Sequence, residues 1–508
     1  MEERKGKVIT IGAGESATNN GEIVTNGIVS KGDRTFSWIK REVSDTNFNI
    51  CFYAMAALED DTGKNAKEDS KACADNASLT NNGIISMRFN EILSEYKERL
   101  KSSADQQKEY DMVFAWGMFA GKNSSLVNNG IINIVHDEEY SDSAYTIFSH
   151  PMYTGSHSSL TNNGTVSITG KGSPGAQVRG LTVGHDNVKI INSGKLFIDV
   201  AHSWGTRALA VAFGGGSSII NAGSVYTKSD KAVWGISTLN GTQPDAAANL
   251  GELTVISEGR FEAYTYKTDN QTYKTVNQIP VVPGAYGISG CSKNCGFCTL
   301  SNHGILRASI QGDNAKPYAV ANGILVYNSS YSGSKTAVVN TGKIEVTSSA
   351  PKCAENQNIV RAAELGINSF NQKNGAFQTE HVKVKEFATT LRDFALTKDF
   401  IQAYKAVIDF SEATLILRSA EGYVPGTAYT VSKDTLVTKI YPFYVDLTDN
   451  SVKNVTDSGV SDYGVTVVGM GNLRFIAAEP DVFTVNIIKN GDGDDASYLV
   501  SLVPVIGG

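Results

Sequence analysis

Thr161-Asn162-Asn163-Gly164-Thr165-Val166 and Val338-Val339-Asn340-Thr341-Gly342-Lys343-Ile344 are two instances of one phrase, and that phrase decides the fold. Its form is apolar, any, Asn, any, Gly, any, apolar, any, apolar. It opens at Asn19, Asn81, Asn128, Asn162, Asn192, Asn221, Asn302 and Asn340, with Gly two places later each time. Ser257 with Gly259 supplies a ninth variant. Two places after the Gly stand Ile23, Ile85, Ile132, Val166, Leu196, Val225, Phe261, Leu306 and Ile344, a column without a polar member. Four places after it the column reads Met87, Ile134, Ile168, Ile198, Ala263, Ala308 and Val346, with Thr25 and Thr227 as exceptions. The intervening positions are mixed and polar. A period of two marks a strand with one face buried.

A turn followed by one short strand cannot bury its apolar face alone, so each phrase is expected to be one rung of a solenoid. Gly suits a turn because it accepts positive φ, and Asn can stack as an amide ladder between identical rungs. The repeated Asn is therefore read as structural. A looser phrase lies between successive Asn phrases: Ala115-Trp116-Gly117-Met118, Val233-Trp234-Gly235-Ile236, Ala285-Tyr286-Gly287-Ile288, Ala321-Asn322-Gly323-Ile324 and Glu364-Leu365-Gly366-Ile367. Each is expected to be a second strand of the same coil. Successive ladder positions lie as little as 29 or 30 residues apart, so that spacing is the bare coil and any excess is loop.

The alternation of Asn-x-Gly-x-Ile and Ala-x-Gly-Ile phrases resembles the passenger domains of bacterial type V autotransporters, over roughly residues 7 to 370. The resemblance implies a right-handed parallel β-helix, all-β, displayed on a bacterial surface or secreted. It implies no particular activity, because that scaffold carries adhesins, self-associating proteins, proteases and lipases alike. A full family member would also carry an export signal and a C-terminal membrane barrel, so the chain is expected to be the excised passenger, its initiating Met standing in place of the signal. Met1-Glu2-Glu3-Arg4 precedes no apolar region, and no apolar run reaches the roughly 18 residues of a spanning helix.

Composition fits such a protein. The 508 residues include 49 Gly and 11 Pro, 19% are charged and the net charge is -7, so a folded core is affordable and disorder is not expected. The acidic balance and the lack of a basic patch with interleaved aromatics argue against nucleic acid as a partner. The solenoid is expected over residues 1–380, with insertions at about 31–77 and 87–111. The first insertion carries Trp38, Phe48, Phe52 and Tyr53; the second has a helical spacing of Ile92, Leu93, Tyr96 and Leu100. Over 381–508 a second amphipathic helix, Glu386 to Tyr404, is expected to precede a β-rich cap, which a solenoid end requires.

Six cysteines, Cys51, Cys73, Cys291, Cys295, Cys298 and Cys353, are candidates for disulfides in an oxidising compartment. The Cys295-Gly-Phe-Cys298 step also invites a zinc reading, for which only Cys353 offers a fourth thiolate.

Catalytic strings of the family are missing: neither Gly-Asp-Ser-Gly nor Gly-Asp-Ser-Leu occurs. A carbohydrate lyase or hydrolase could be built on an outer column three places after the Gly, which reads Glu262, Arg307, Glu345. An Arg between two Glu holds both ionised, so a surface ion ladder is the preferred account of that column. Asp492 and Asp494 alternate as in a Ca²⁺ loop, but without the Gly and distal Glu of an EF-hand, and are read as a polar turn. No cofactor is expected. The expected function is non-enzymatic: an adhesin binding host-cell or bacterial surface glycan or protein through loops. The alternatives are homotypic self-association along the solenoid flank and, less favoured, the carbohydrate-active enzyme.

Overall fold

The computed structural model describes residues 9–25, 49–58, 74–88, 112–136, 146–183, 186–211, 215–241, 246–260, 283–292, 297–327, 335–351, 361–368, 370–371, 377–391, 399–446, 451–459 and 462–505. It is a parallel β-helix made of two compact units, Met1–Val233 with Glu262–Gln278, and Trp234–Phe261 with Ile279–Gly508. The expected helical segment around 87–111 and the aromatics Trp38 and Phe48 lie outside the described residues.

In the first unit every rung has three faces. The first face stacks Ser16–Asn19, Ser78–Asn81, Ser125–Asn128, Ser159–Asn162, Lys189–Asn192 and Ser218–Asn221, parallel and with Asn opposite Asn throughout. After the Asn-x-Gly corner the second face stacks Glu22–Thr25, Ile84–Arg88, Ile131–His136, the starts of Thr165–Val183 and Lys195–Val211, and Ser224–Ser229. The third face stacks Ile9–Ile11, Asn49–Ala57, Met112–Phe119, Thr146–Thr154 and the ends of the two long strands. Asn49–Ala57 therefore belongs to the solenoid, although the sequence placed it inside an insertion. Tyr53 on it is buried with Trp116, Phe119 and Tyr153, the Trp116 and Phe119 rings stacked at 4.4 Å.

Leu79, Leu126, Leu160, Ile190 and Ile219 from the first face meet Ile85, Ile132, Val166, Leu196 and Val225 from the second, all buried. Into this apolar interior the corner inserts a column of amides. Asn19 Nδ2 donates to Asn81 Oδ1 at 2.7 Å, Asn81 to Asn128 at 2.8 Å, Asn128 to Asn162 at 2.8 Å, Asn162 to Asn192 at 2.7 Å and Asn192 to Asn221 at 2.8 Å. An amide donates and accepts, so each buried polar group is satisfied by its own copy one rung away.

The corner glycines are needed for a different reason from the one expected. Gly83, Gly130, Gly164, Gly194 and Gly223 are not among the positive-φ residues. A Cβ on each would overlap the carbonyl oxygen of the corner glycine one rung before it: Gly21, Gly83, Gly130, Gly164 and Gly194 in turn. Close rung-to-rung approach, not backbone handedness, excludes any side chain there. The left-handed residues sit five places before each ladder Asn: Gly14 (φ 72°), Asn76 (59°), Asn123 (53°), His157 (58°), Asn187 (55°) and Gly216 (75°). They turn the chain from the third face into the first. Gly and Asn predominate there because both tolerate this conformation.

The second unit repeats the plan. Its first face stacks Ala246–Asn249, Phe297–Asn302, Lys335–Asn340, the start of Glu380–Leu391, Ala406–Asp409 and Val465–Val468. The ladder here is Asn249 to Asn302 at 2.7 Å and Asn302 to Asn340 at 2.8 Å. The rung member is thus Asn249, not Ser257. Ser257 ends the strand Glu252–Ser257, and its Oγ accepts the Gly259 N–H at 3.0 Å, as Asn19 Oδ1 accepts Gly21 N–H at 3.1 Å. Ser257 shares the turn chemistry of the phrase at another corner of the same rung, which is why the sequence pattern matched it.

On the third face Gly284–Ser292, Val320–Val326, Ala362–Ile367, Asp399–Ala403 and Val437–Lys439 stack in parallel. Ala321 pairs with Ala362, so Glu364 and not Gly366 falls level with Gly323, two places from the sequence alignment. The expected helix from Glu386 to Tyr404 is absent among its described residues: Glu380–Leu391 and Asp399–Ala403 are strands. Val338 pairs with Val384 but Asn340 with Phe387, so one extra residue bulges the strand and makes a period of two look like three to four. Phe387 takes the place of the next amide, and Asn340 Nδ2 donates to the Ala388 carbonyl at 2.7 Å. Rungs continue past residue 380, through Thr414–Ser419 to Arg474–Ala477. An antiparallel sheet follows in the order Tyr429–Val431, Ser497–Pro504, Phe483–Asn490.

Asn128→Ala removes two ladder bonds and strands buried amide atoms on Asn81 and Asn162. It is expected to cost about 2–4 kcal/mol in thermal or urea unfolding, whereas Asn129→Ala, one residue on and exposed, should cost less than about 1 kcal/mol.

Candidate functional site

The corner that buries one amide column exposes another. Asn82 Nδ2 donates to Asn20 Oδ1, Asn129 to Asn82 and Asn163 to Asn129, each at 2.9 Å and each exposed. The ladder ends there because the next rungs carry Ser193 and Ala222. An amide has two N–H groups and two acceptor positions, and the inner members spend one of each on neighbours. What remains faces solvent as a row of donors and acceptors repeating at the strand spacing of about 4.8 Å.

The flanks of this row differ in character. On the second-face side, two residues after Asn82 and Asn129, Ile84 and Ile131 are 37% and 38% exposed. On the first-face side the outer columns are Ser16, Ser78, Ser125, Ser159 and Thr18, Thr80, Val127, Thr161, uncharged over four consecutive rungs. Ser159 Oγ donates to Ser125 Oγ at 3.2 Å within that array. With Glu22 beside Asn20 and Thr165 beside Asn163 on the outer rungs, the two middle rungs form an uncharged strip that can hydrogen-bond along its centre and make apolar contact along one side. Farther along the second face Phe197, 39% exposed, and Tyr226 stack at 4.9 Å with 9° between their planes.

The less favoured enzymatic column of Glu262, Arg307 and Glu345 is not the register of the described strands. In register with Arg307 stand Thr254 on one side and Glu345 on the other, because Asn249 sets the rung; Glu262 lies outside the described residues. Arg307 Nε donates to Glu345 Oε2 at 2.8 Å, and Lys343 Nζ pairs with the other oxygen. Hydrogen bonds from Lys343 and Arg307 hold the Glu345 carboxyl below its ordinary range, which keeps it a poor proton carrier near neutrality. The acidic turn is likewise committed to local bonds. Asp494 Oδ1 accepts the Gly469 N–H at 2.6 Å, Asp495 pairs with Lys433 at 2.6 Å, and Asp492 lies 3.6 Å from Lys489. Among the described residues no three His, Cys, Asp or Glu side chains gather as a metal site.

Of the cysteines, Cys298 is buried and in register with Thr336. Cys51 and Cys291 lie on described strands, but their side chains, like Cys73, Cys295 and Cys353, fall outside the described structure. No helix among the described residues is long and apolar enough to cross a membrane.

Sequence reasoning also passed over a pair of buried histidines. His136 ends a second-face strand and its Nε2 lies 3.2 Å from Ser149 Oγ; the next residue, His150, packs edge-on against Tyr153 at 5.5 Å. Burial lowers His136 to about 3, and burial with the Arg179 charge lowers His150 well below its usual value. Both are enclosed, so the His136–Ser149 contact offers a substrate no approach. Comparison with family models, with curated proteins and with solved structures found no match.

A histidine kept neutral by burial is protonated first in the unfolded chain, so it destabilises the fold as pH drops below the unfolded value of 6.5 and, for His136, until about pH 3. Each pH unit in that window costs about 1.4 kcal/mol per such group. Urea titrations from pH 7 to pH 4 should therefore show a steep acid loss that His136→Gln makes shallower by roughly 3 kcal/mol over the range. An unchanged slope in that variant would remove His136 from the account.

Proposed function

We propose that this chain is a bacterial surface or secreted adhesin, related in plan to autotransporter passengers, that binds by contact and not by chemistry. The observation that carries this reading is the exposed amide ladder Asn20, Asn82, Asn129 and Asn163 with Ile84 and Ile131 beside it. A sugar presents hydroxyls that both donate and accept, and C–H faces that are apolar. An unbroken row of amides beside aliphatic side chains complements both. Repetition from rung to rung favours an extended ligand over a compact one, since each added repeat adds a like contact. The preferred partner is accordingly a neutral, hydroxyl-rich glycan chain on a host or bacterial surface. The long insertions remain candidates for further contacts to such a surface.

A glycan array probed with the 508-residue chain should give hits among neutral oligosaccharides that strengthen with chain length. The double variant Asn82→Ala, Asn129→Ala should weaken those hits about tenfold or more while leaving the far-ultraviolet spectrum unchanged. Equal binding by the double variant would displace the ladder as the site, and an array without hits would sink the glycan reading.

A further inference from the structure

The strand Phe483–Asn490 lies at the edge of the C-terminal antiparallel sheet: Ser497–Pro504 pairs with one side of it, and no described strand pairs with the other. Edge strands are ordinarily blunted by charge, twist or cover. Here Ile487 and Ile488, on opposite faces of the strand, are 41% and 53% exposed, and Val482 just before it is 50% exposed. The run Asp481-Val-Phe-Thr-Val485-Asn-Ile-Ile-Lys489 has a further property: it is complementary to itself when reversed about Val485.

In an antiparallel pairing of two such strands centred on Val485, Phe483 faces Ile487 and Val482 faces Ile488. Thr484 faces Asn486, and Asp481 faces Lys489 at both ends. Moving the centre spoils the match. Centred between Asn486 and Ile487, the pairing sets Asp481 against Asp492; centred on Asn486, it sets Phe483 against Lys489. One register alone joins apolar to apolar and opposite charge to opposite charge. A two-fold pairing of this kind is isologous, so each favourable contact occurs twice.

We propose that two copies of this chain associate through Phe483–Asn490, joining their C-terminal sheets edge to edge in the register about Val485. Lys489, which now reaches the Gly471 carbonyl at 3.0 Å and lies 3.6 Å from Asp492, turns to Asp481 of the second copy. The interface is small, so the dimer is weak, with a dissociation constant on the order of 100 µM. The inference is independent of the glycan reading, which concerns the other unit.

Sedimentation equilibrium of the full chain up to about 1 mM should show a reversible dimer. Asp481→Lys and Lys489→Asp each place like charges opposite one another twice, and each should weaken the dimer at least about tenfold. An equimolar mixture of the two variants restores both opposite-charge pairs and should dimerise like the parent. Circular dichroism and melting curves check that the variants fold. A parent chain that stays monomeric at 1 mM, a dimer indifferent to either substitution, or a mixture no tighter than its components would each overturn the proposal.

Discussion

Everything in this molecule depends on one interaction: a carboxamide buried in an apolar core, bonded to the same carboxamide one rung away. A buried polar group costs on the order of 1–3 kcal/mol if left unpaired. Only a side chain that both donates and accepts can be satisfied by copies of itself, and the Asn amide does so with a second N–H left over for the neighbouring backbone, as where Asn81 Nδ2 also reaches the Ile131 carbonyl at 3.2 Å. The ladder therefore fixes register. A one-residue slip would turn the Asn out, bring an outward residue into the core and leave both neighbours unpaired. Loop length, by contrast, is free, and neighbouring ladder residues in the first unit are separated by as few as 29 and as many as 62 positions.

This division between fixed corner and free connection explains what could be seen in the sequence. The Asn, the Gly and the alternating apolar columns are repeated by the same physical demand on every rung, so they stand out. Asn249-Leu-Gly251-Glu-Leu253-Thr-Val255 satisfies the phrase fully, whereas Ser257 repeats only the turn's local bond. Counting from Ser257 shifts the outer column to Glu262, whereas the register sets Thr254 beside Arg307. The left-handed column from Gly14 to Gly216 was legible too, as Gly or Asn five places before five of the six ladder residues, His157 being the exception. The strand at Glu380–Leu391 was less accessible, since a single bulge imitates helical spacing.

The candidate binding strip follows from the same corner. Rungs whose Asn is followed by a second Asn build an outer ladder automatically, because the spacing that aligns the inner amides aligns the outer ones. Asn20, Asn82, Asn129 and Asn163 were each in view within the repeated phrase, but their hydrogen bonding to one another required the register. The buried histidines could not be read from sequence at all: nothing about His136 or His150 in isolation announces burial, which comes from pairing across three strands distant in sequence. The far end of the chain illustrates the remaining constraint on any solenoid, the edge. Phe387 closes the amide column with a ring packed edge-on against Phe400 at 4.9 Å, while parallel rungs continue to Arg474–Ala477 before the antiparallel sheet.

The most direct test of this account is a double-mutant cycle on the ladder. Unfolding free energies of Asn128→Ala, Asn162→Ala and the double variant would be compared with a control cycle pairing Asn128→Ala with Asn340→Ala. Residues that share a bond should couple by about 1 kcal/mol or more, whereas distant ladder members should be additive within about 0.5 kcal/mol. Additivity between Asn128 and Asn162 would mean that the buried amides do not hold the rungs in register, and the central claim would fail.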